Sequence, residues 1–129
     1  MKLRLILIML LAMFIASPAV LAESQFEPFD EDRFSELKDS GDPVLVEVWA
    51  DWCSTCARQS PILESLLQED EFSDYTALKL DWDKQEARAR DLGAPRQSTL
   101  FVYRDGEQKQ MSVAETNESA LRELLRQGL

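Results

Sequence analysis

Histidine is absent from the 129-residue chain. Its absence excludes every Ser-His and Cys-His catalytic arrangement and removes the commonest metal ligand. Chemistry here has to rest on thiols, carboxylates, lysine or tyrosine. No Pro/Gly-rich linker, internal repeat or low-complexity tract divides residues 23–129, so one domain with one modest core is expected there. Positive charge is also scarce, with 14 basic residues against 24 acidic ones. Nucleic acid and anionic membrane surfaces need clustered positive charge, so neither is an expected partner. The acidity describes a solvated surface and names no partner by itself.

What is present begins with an export signature. Lys2 and Arg4 form a basic lead, and an uncharged apolar run follows from Leu5 to Ala16. Ser17 and Pro18 come next, then Ala19-Val20-Leu21-Ala22. A basic lead, an apolar stretch and small residues before a cut site are the parts of a secretory signal peptide. Residues 1–22 are therefore expected to be a signal peptide cleaved after Ala22, which makes the protein periplasmic or secreted. The alternative is a retained N-terminal membrane anchor, because no charge interrupts Leu5 to Ala22, about the shortest run that spans a bilayer. No cysteine follows the cleavage site to carry a lipid.

Along the remaining chain, Phe26 to Ser40 places Phe29, Phe34 and Leu37 among acidic residues. Asp30 suits an N-cap and Gly41 a C-terminal stop, which predicts a short amphipathic helix. Val44 to Ala50 is nearly continuous apolar and β-branched, the pattern of a central strand covered on both faces. A helix is expected from Ser54 to Gln68, with Pro61 kinking it. Tyr75 to Leu80 predicts a strand, Lys84 to Leu92 a polar helix, and Thr99 to Tyr103 a further strand. Asp105-Gly106 is a hairpin signal, with Gln108 to Val113 returning. Thr116 to Arg126 closes the chain as a helix. The expected fold is α/β, a mixed four-stranded sheet with helices on both faces and a right-handed crossover between its first two strands.

The only two cysteines, Cys53 and Cys56, sit three apart where a strand ends and a helix begins. Three readings compete. As a structural staple the pair is poorly placed, because closing four residues gives about 2 kcal/mol against about 3 for fifteen. As a metal site it offers two thiolates where zinc wants four ligands. As a redox pair it is well placed: Cys53 would lie at a helix N-terminus, where free N–H groups and the helix dipole stabilise the attacking thiolate. Cys56, one turn on, could resolve the mixed disulfide, with Trp49 and Trp52 shielding the site. Glu47 is the one carboxylate in the strand before it, either buried with a raised pKa or turned to solvent at the strand edge.

Trp49-Ala50-Asp51-Trp52-Cys53-Ser54-Thr55-Cys56 resembles the Trp-Ala-x-Trp-Cys-x-x-Cys signature of the thioredoxin superfamily. Pro61 matches the family's kink-forming proline. Glu47 falls where thioredoxins carry a buried aspartate that relays protons to the resolving cysteine, and Lys79 matches the lysine paired with that acid. Thr99 to Gly106 resembles the segment leading into the hairpin. The likeness spans nearly all of 23–129 and implies a thioredoxin-like three-layer sandwich. It also implies catalytic roles for Cys53, Cys56, Glu47 and Lys79, substrate contacts at Trp52, Ser98 and Thr99, and no cofactor beyond the Cys53–Cys56 disulfide.

Two positions depart from the family pattern. Ser98 stands where the family has a cis proline, which puts the family's substrate-binding geometry in doubt and leaves the thiols open to metal. Ser54-Thr55 matches neither the reducing nor the strongly oxidising dipeptides, while Asp51-Trp52-Cys53 is reminiscent of periplasmic domains that pass reducing equivalents. The expected function is an exported thiol–disulfide oxidoreductase, a reductant or electron relay. Its expected partners are protein dithiols or disulfides of the cell envelope, with a membrane electron donor as a further candidate. The alternatives are a non-catalytic metal-binding or carrier module using the same sulfurs, and an adaptor whose cysteines are incidental.

Overall fold

A computed structural model describes residues 23–129. The expected signal peptide, residues 1–22, lies outside them, and with it the choice between cleavage and anchoring. Among the described residues no helix is long and apolar enough to cross a membrane.

The run Val44–Trp49 forms strand β2, and burial on both faces puts it mid-sheet. It pairs parallel with β3 (Thr76–Asp81) and antiparallel with β4 (Thr99–Arg104). Beyond β4 lies β5 (Glu107–Val113), antiparallel across the Asp105-Gly106 turn. Both turn residues have positive φ, 54° and 76°, as a two-residue hairpin requires. Among the described residues the sheet has five strands, not four. Phe26–Pro28 forms β1, which adds parallel to β3 at the edge and gives the order β1-β3-β2-β4-β5. Three residues ending in proline are too few for a period-two pattern, which is why the sequence did not reveal this strand.

Alternation along β2 divides the core. Leu45 faces α2 (Ser54–Leu67) and α4 (Glu118–Arg126), packing with Leu63, Leu66, Leu121 and Leu125. Val44, Val46 and Val48 face the other way, toward Phe34 and Leu37 of α1 (Glu31–Ser40) and Ala89 of α3 (Trp82–Leu92). Successive side chains of a strand point to opposite faces, so Glu47 shares the face of Leu45 and lies under α2.

Local signals set the helix limits. Asp30 caps α1 by accepting from the Arg33 N–H, and Gly41 ends it in the left-handed conformation. Helix α2 continues through Pro61. Helix α3 begins two residues earlier than Lys84, with a non-helical step at Gln85 after its first turn. That break explains why the periodic pattern starts late. Leu121 is fully buried between α2 and the sheet. Leu121→Ala is expected to cost about 2–5 kcal/mol of unfolding free energy in urea titration of the oxidised protein, as buried Leu→Ala changes do. A cost below 1 kcal/mol would contradict this packing.

Candidate active site

Cys53 is the N-cap of α2, and Cys56 lies in its first turn. The cap places the Cys53 sulfur under the helix N-terminus, where it accepts the Cys56 N–H at 3.1 Å. The two cysteines are joined as a disulfide, with their Cα atoms 5.2 Å apart. Cys53 keeps 4% of its surface exposed, whereas Cys56 has none. An incoming group therefore meets Cys53 first. Trp49 packs beside the pair with Trp82. Trp52 is 60% exposed, and its indole N–H donates to the Asp83 carboxylate at 2.8 Å. It forms an apolar outer surface next to the cysteines and does not seal them in.

Glu47 is fully buried, not turned to solvent at a strand edge. The β2–β3 register sets it beside Lys79, whose Nζ is 3.7 Å from Oε2. This contact is an ion pair too long for a hydrogen bond. The other oxygen, Oε1, accepts from Ser60 Oγ at 2.5 Å. Burial is the dominant influence and raises the Glu47 pKa, opposed by the Ser60 hydrogen bond and the Lys79 charge. Lys79 also lies over the rings of Phe26 and Trp49, at 4.8 and 5.3 Å. It borders a cleft of 290 Å³ that Phe26, Trp49, Asp81 and Lys84 also line.

Ser98 meets the disulfide through its side chain. Its hydroxyl is 3.1 Å from each sulfur. Among the described residues no peptide bond is cis, and Ser98 has φ of 65°. Its N–H donates to Val48 O at 2.7 Å and its carbonyl accepts from the Ala114 N–H at 2.9 Å. Both backbone groups are thus occupied within the protein. Thr99 is fully buried, and its hydroxyl donates to the Arg96 carbonyl at 2.7 Å. It shapes the loop before β4 from inside.

Two functional neighbours escaped the sequence reading, Gln59 and Ser60. Gln59 is fully buried and donates to the Glu115 carbonyl at 2.9 Å and to the Ser98 carbonyl at 3.5 Å. The signal was available: residues 59, 60 and 63 follow Cys56 at three, four and seven, the spacing of one helix face. Polar residues on an otherwise buried stripe mark something that needs them.

A buried, paired carboxylate and a cysteine pair capping a helix, beside a mixed sheet of this order, define a thiol–disulfide oxidoreductase on a thioredoxin-like fold. A family model described as Thioredoxin matches residues 24–127. The chain is 35% identical over 92 residues to the thioredoxin of Mycobacterium bovis, covering 71% of this chain and 78% of that one. With Chlamydia muridarum thioredoxin it shares 34% over 95 residues, 74% of this chain and 90% of that. Among solved structures, Trxlp from Edwardsiella tarda EIB202 superposes with a TM-score of 0.75 at 38% identity, covering 78% of this chain and 97% of that one. The chain belongs to the thioredoxin family.

Because burial lifts the Glu47 carboxyl above its ordinary value of 4.5, the folded protein holds this proton where the unfolded chain has lost it. Across that interval stability falls as pH rises, the reverse of an ion-paired surface carboxylate. Glu47→Gln removes the dependence. In urea unfolding over a pH series, the parent's stability relative to Glu47→Gln is expected to be greatest below about 4.5 and to decline through the raised value. Ser60→Ala, which removes a donor to the charged form, should carry the decline to higher pH. Parallel pH profiles for parent and Glu47→Gln would overturn the assignment.

Proposed function

We propose that the protein is exported and acts as a reductant or electron relay for disulfides in proteins of the cell envelope. The sequence of residues 1–22 supports export. The observation that carries the mechanism is the division of labour in exposure: Cys53 is the reachable sulfur at the helix N-terminus, and Cys56 is sealed behind it.

In the reductive direction the Cys53 thiolate attacks a substrate disulfide. A Cys53–substrate disulfide forms, and one substrate sulfur leaves as a thiolate that takes a proton from solvent. Cys56 then loses its proton and attacks Cys53 Sγ. The Cys53–Cys56 bond closes, the second substrate sulfur departs, and two electrons have passed to the substrate. Glu47 is the base proposed for the Cys56 proton, since burial raises its proton affinity toward the working range. Lys79, ion-paired to Glu47 and partly exposed along the cleft, tunes that affinity and links it to solvent. Trp52, with its exposed ring beside Cys53, is the proposed apolar contact for the substrate chain. Thr99 is fully buried with its hydroxyl bonded to the Arg96 carbonyl, so it shapes the Ser98 loop and makes no substrate contact of its own.

The exposed Asp51 next to Trp52 supports the reducing direction, because a nearby anion disfavours a very acidic thiol. No cofactor beyond the cysteine pair is proposed. The metal-carrier reading needs further ligands, and among the described residues no three of Cys, Asp and Glu converge.

Cys53→Ala is expected to abolish reduction of insulin, and Cys56→Ser to accumulate mixed disulfides with envelope proteins, visible on non-reducing gels. Insulin reduction by Cys53→Ala at the parental rate would end the reading. The redox potential against glutathione is expected nearer the about −270 mV of a reducing thioredoxin than the about −120 mV of a strong disulfide donor. Export predicts a mature chain that begins at Glu23 by mass spectrometry of the periplasmic fraction.

A further inference from the structure

A serine that touches both halves of a disulfide has a chemical capacity that a proline there lacks, since proline carries no donor. Ser98 Oγ is 3.1 Å from Cys53 Sγ and 3.1 Å from Cys56 Sγ. Disulfide sulfurs carry no hydrogen, so the hydroxyl is the donor, with one hydrogen facing two acceptors. Ser98 is fully buried, and among the described residues its hydroxyl has no other partner. A hydrogen bond to a neutral disulfide sulfur is weak, so in the oxidised protein this donor is poorly used.

Its position is nevertheless held from several sides. The N–H is tied to Val48, and the carbonyl is tied to Ala114 and to the Gln59 side chain. Gln59 is itself anchored to the Glu115 carbonyl. The left-handed φ of 65° is unfavourable for serine and persists where the surroundings over-determine it.

We propose that the Ser98 hydroxyl is a catalytic hydrogen-bond donor shared by Cys53 and Cys56, turning about its Cβ–Oγ bond to whichever sulfur carries negative charge. This rests on the thiol exchange described above. Reduction opens the S–S bond with two electrons and one proton, leaving Cys53 as thiolate and Cys56 as thiol. The Cys53 thiolate then has two donors, the Cys56 N–H and the Ser98 O–H. After Cys53 has bonded to substrate, the next charge to appear on the protein is the Cys56 thiolate, formed as its proton leaves. Ser98 meets that charge from the same heavy-atom position by rotating one hydrogen. Charge-assisted hydrogen bonds are roughly twice as strong as neutral ones, so the donor favours the reduced, ionised protein over the disulfide.

Ser98→Ala removes the hydroxyl and keeps the Cβ. Ser98→Gly also removes it, with a backbone that accepts positive φ freely. Circular dichroism and unfolding of the oxidised proteins establish that each variant is folded, and Ser98→Gly supplies the readings should Ser98→Ala lose the fold. Thiolate absorbance against pH is expected to show the Cys53 acid constant about tenfold smaller in either variant, the range of a hydrogen bond to a charged group. At a pH above the Cys53 pKa of parent and variant alike, the glutathione equilibrium is expected to shift about tenfold toward the disulfide, a potential more negative by about 30 mV. That shift should shrink as pH falls below the Cys53 pKa, because no thiolate is then present. A space-filling serine would give no such pH dependence.

Acid constant and potential within twofold of the parent would overturn the proposal, as would a shift of equal size at all pH values. Insulin reduction by the parent is the control. Its absence strikes at the oxidoreductase reading, whereas an active parent with unchanged variants strikes at Ser98 alone.

Discussion

Everything at the site follows from β2 being sandwiched on both faces. A strand with one face in water could carry a glutamate at no cost on its polar side. Here Val44, Val46 and Val48 fill one layer and Leu45 the other, so Glu47 has only a buried place to go. Its carboxyl is then held by one hydroxyl from α2 and one ammonium from β3. Among the described residues Oε2 has no hydrogen bond and lies 3.7 Å from Lys79. A buried charge so thinly supported favours protonation, and the same strand ends four residues before Cys53. The strand that stabilises the fold thereby holds a carboxyl whose pKa burial raises.

The acid's partners show why glutamate works in this frame. Glutamate reaches one methylene farther than aspartate from the same backbone position. Ser60, at the start of the second turn beyond Cys56, meets that longer side chain with an oxygen rather than a methyl group. Glu47 and Ser60 thus act as a pair: the hydroxyl partly offsets the burial that the glutamate suffers, and neither residue type alone explains the other. Lys79 contributes at longer range: its ammonium lies over the rings of Phe26 and Trp49, near the carboxyl while remaining partly in water.

The central sheet and the cysteine junction were legible in sequence because they depend on strong local signals. Val44–Trp49 is apolar nearly throughout, Asp30 and Gly41 delimit α1, and Asp105-Gly106 makes the hairpin. Glu47 and Lys79 were legible only as candidates, since burial and the β2–β3 register are tertiary facts. Strand β1 was not legible because three residues carry no period and its stability comes from β3. Trp52 reads as a shield in sequence because tryptophan usually buries, whereas Asp83 holds this indole N–H at the surface. Gln59 and Ser60 look solvent-facing in sequence, as polar residues next to a helix proline do, until the period from Cys56 is counted.

Ser98 adds to the shaping role of a proline a second one that proline lacks. A proline at this place shapes the chain and offers no hydrogen. Serine reaches the same contact with the disulfide through a trans peptide and a left-handed φ, with its N–H closed onto Val48. The backbone N–H that proline lacks is therefore consumed internally, and what is gained is a side-chain hydroxyl aimed at both sulfurs. The surrounding bonds from Val48, Ala114 and Gln59 all act on the Ser98 backbone and leave its hydroxyl free to rotate. Rigid support beneath a single rotatable hydrogen is the arrangement needed where charge moves between two atoms and the protein around them does not. Shape at the disulfide is thus fixed by the backbone, and response to charge is left to one bond.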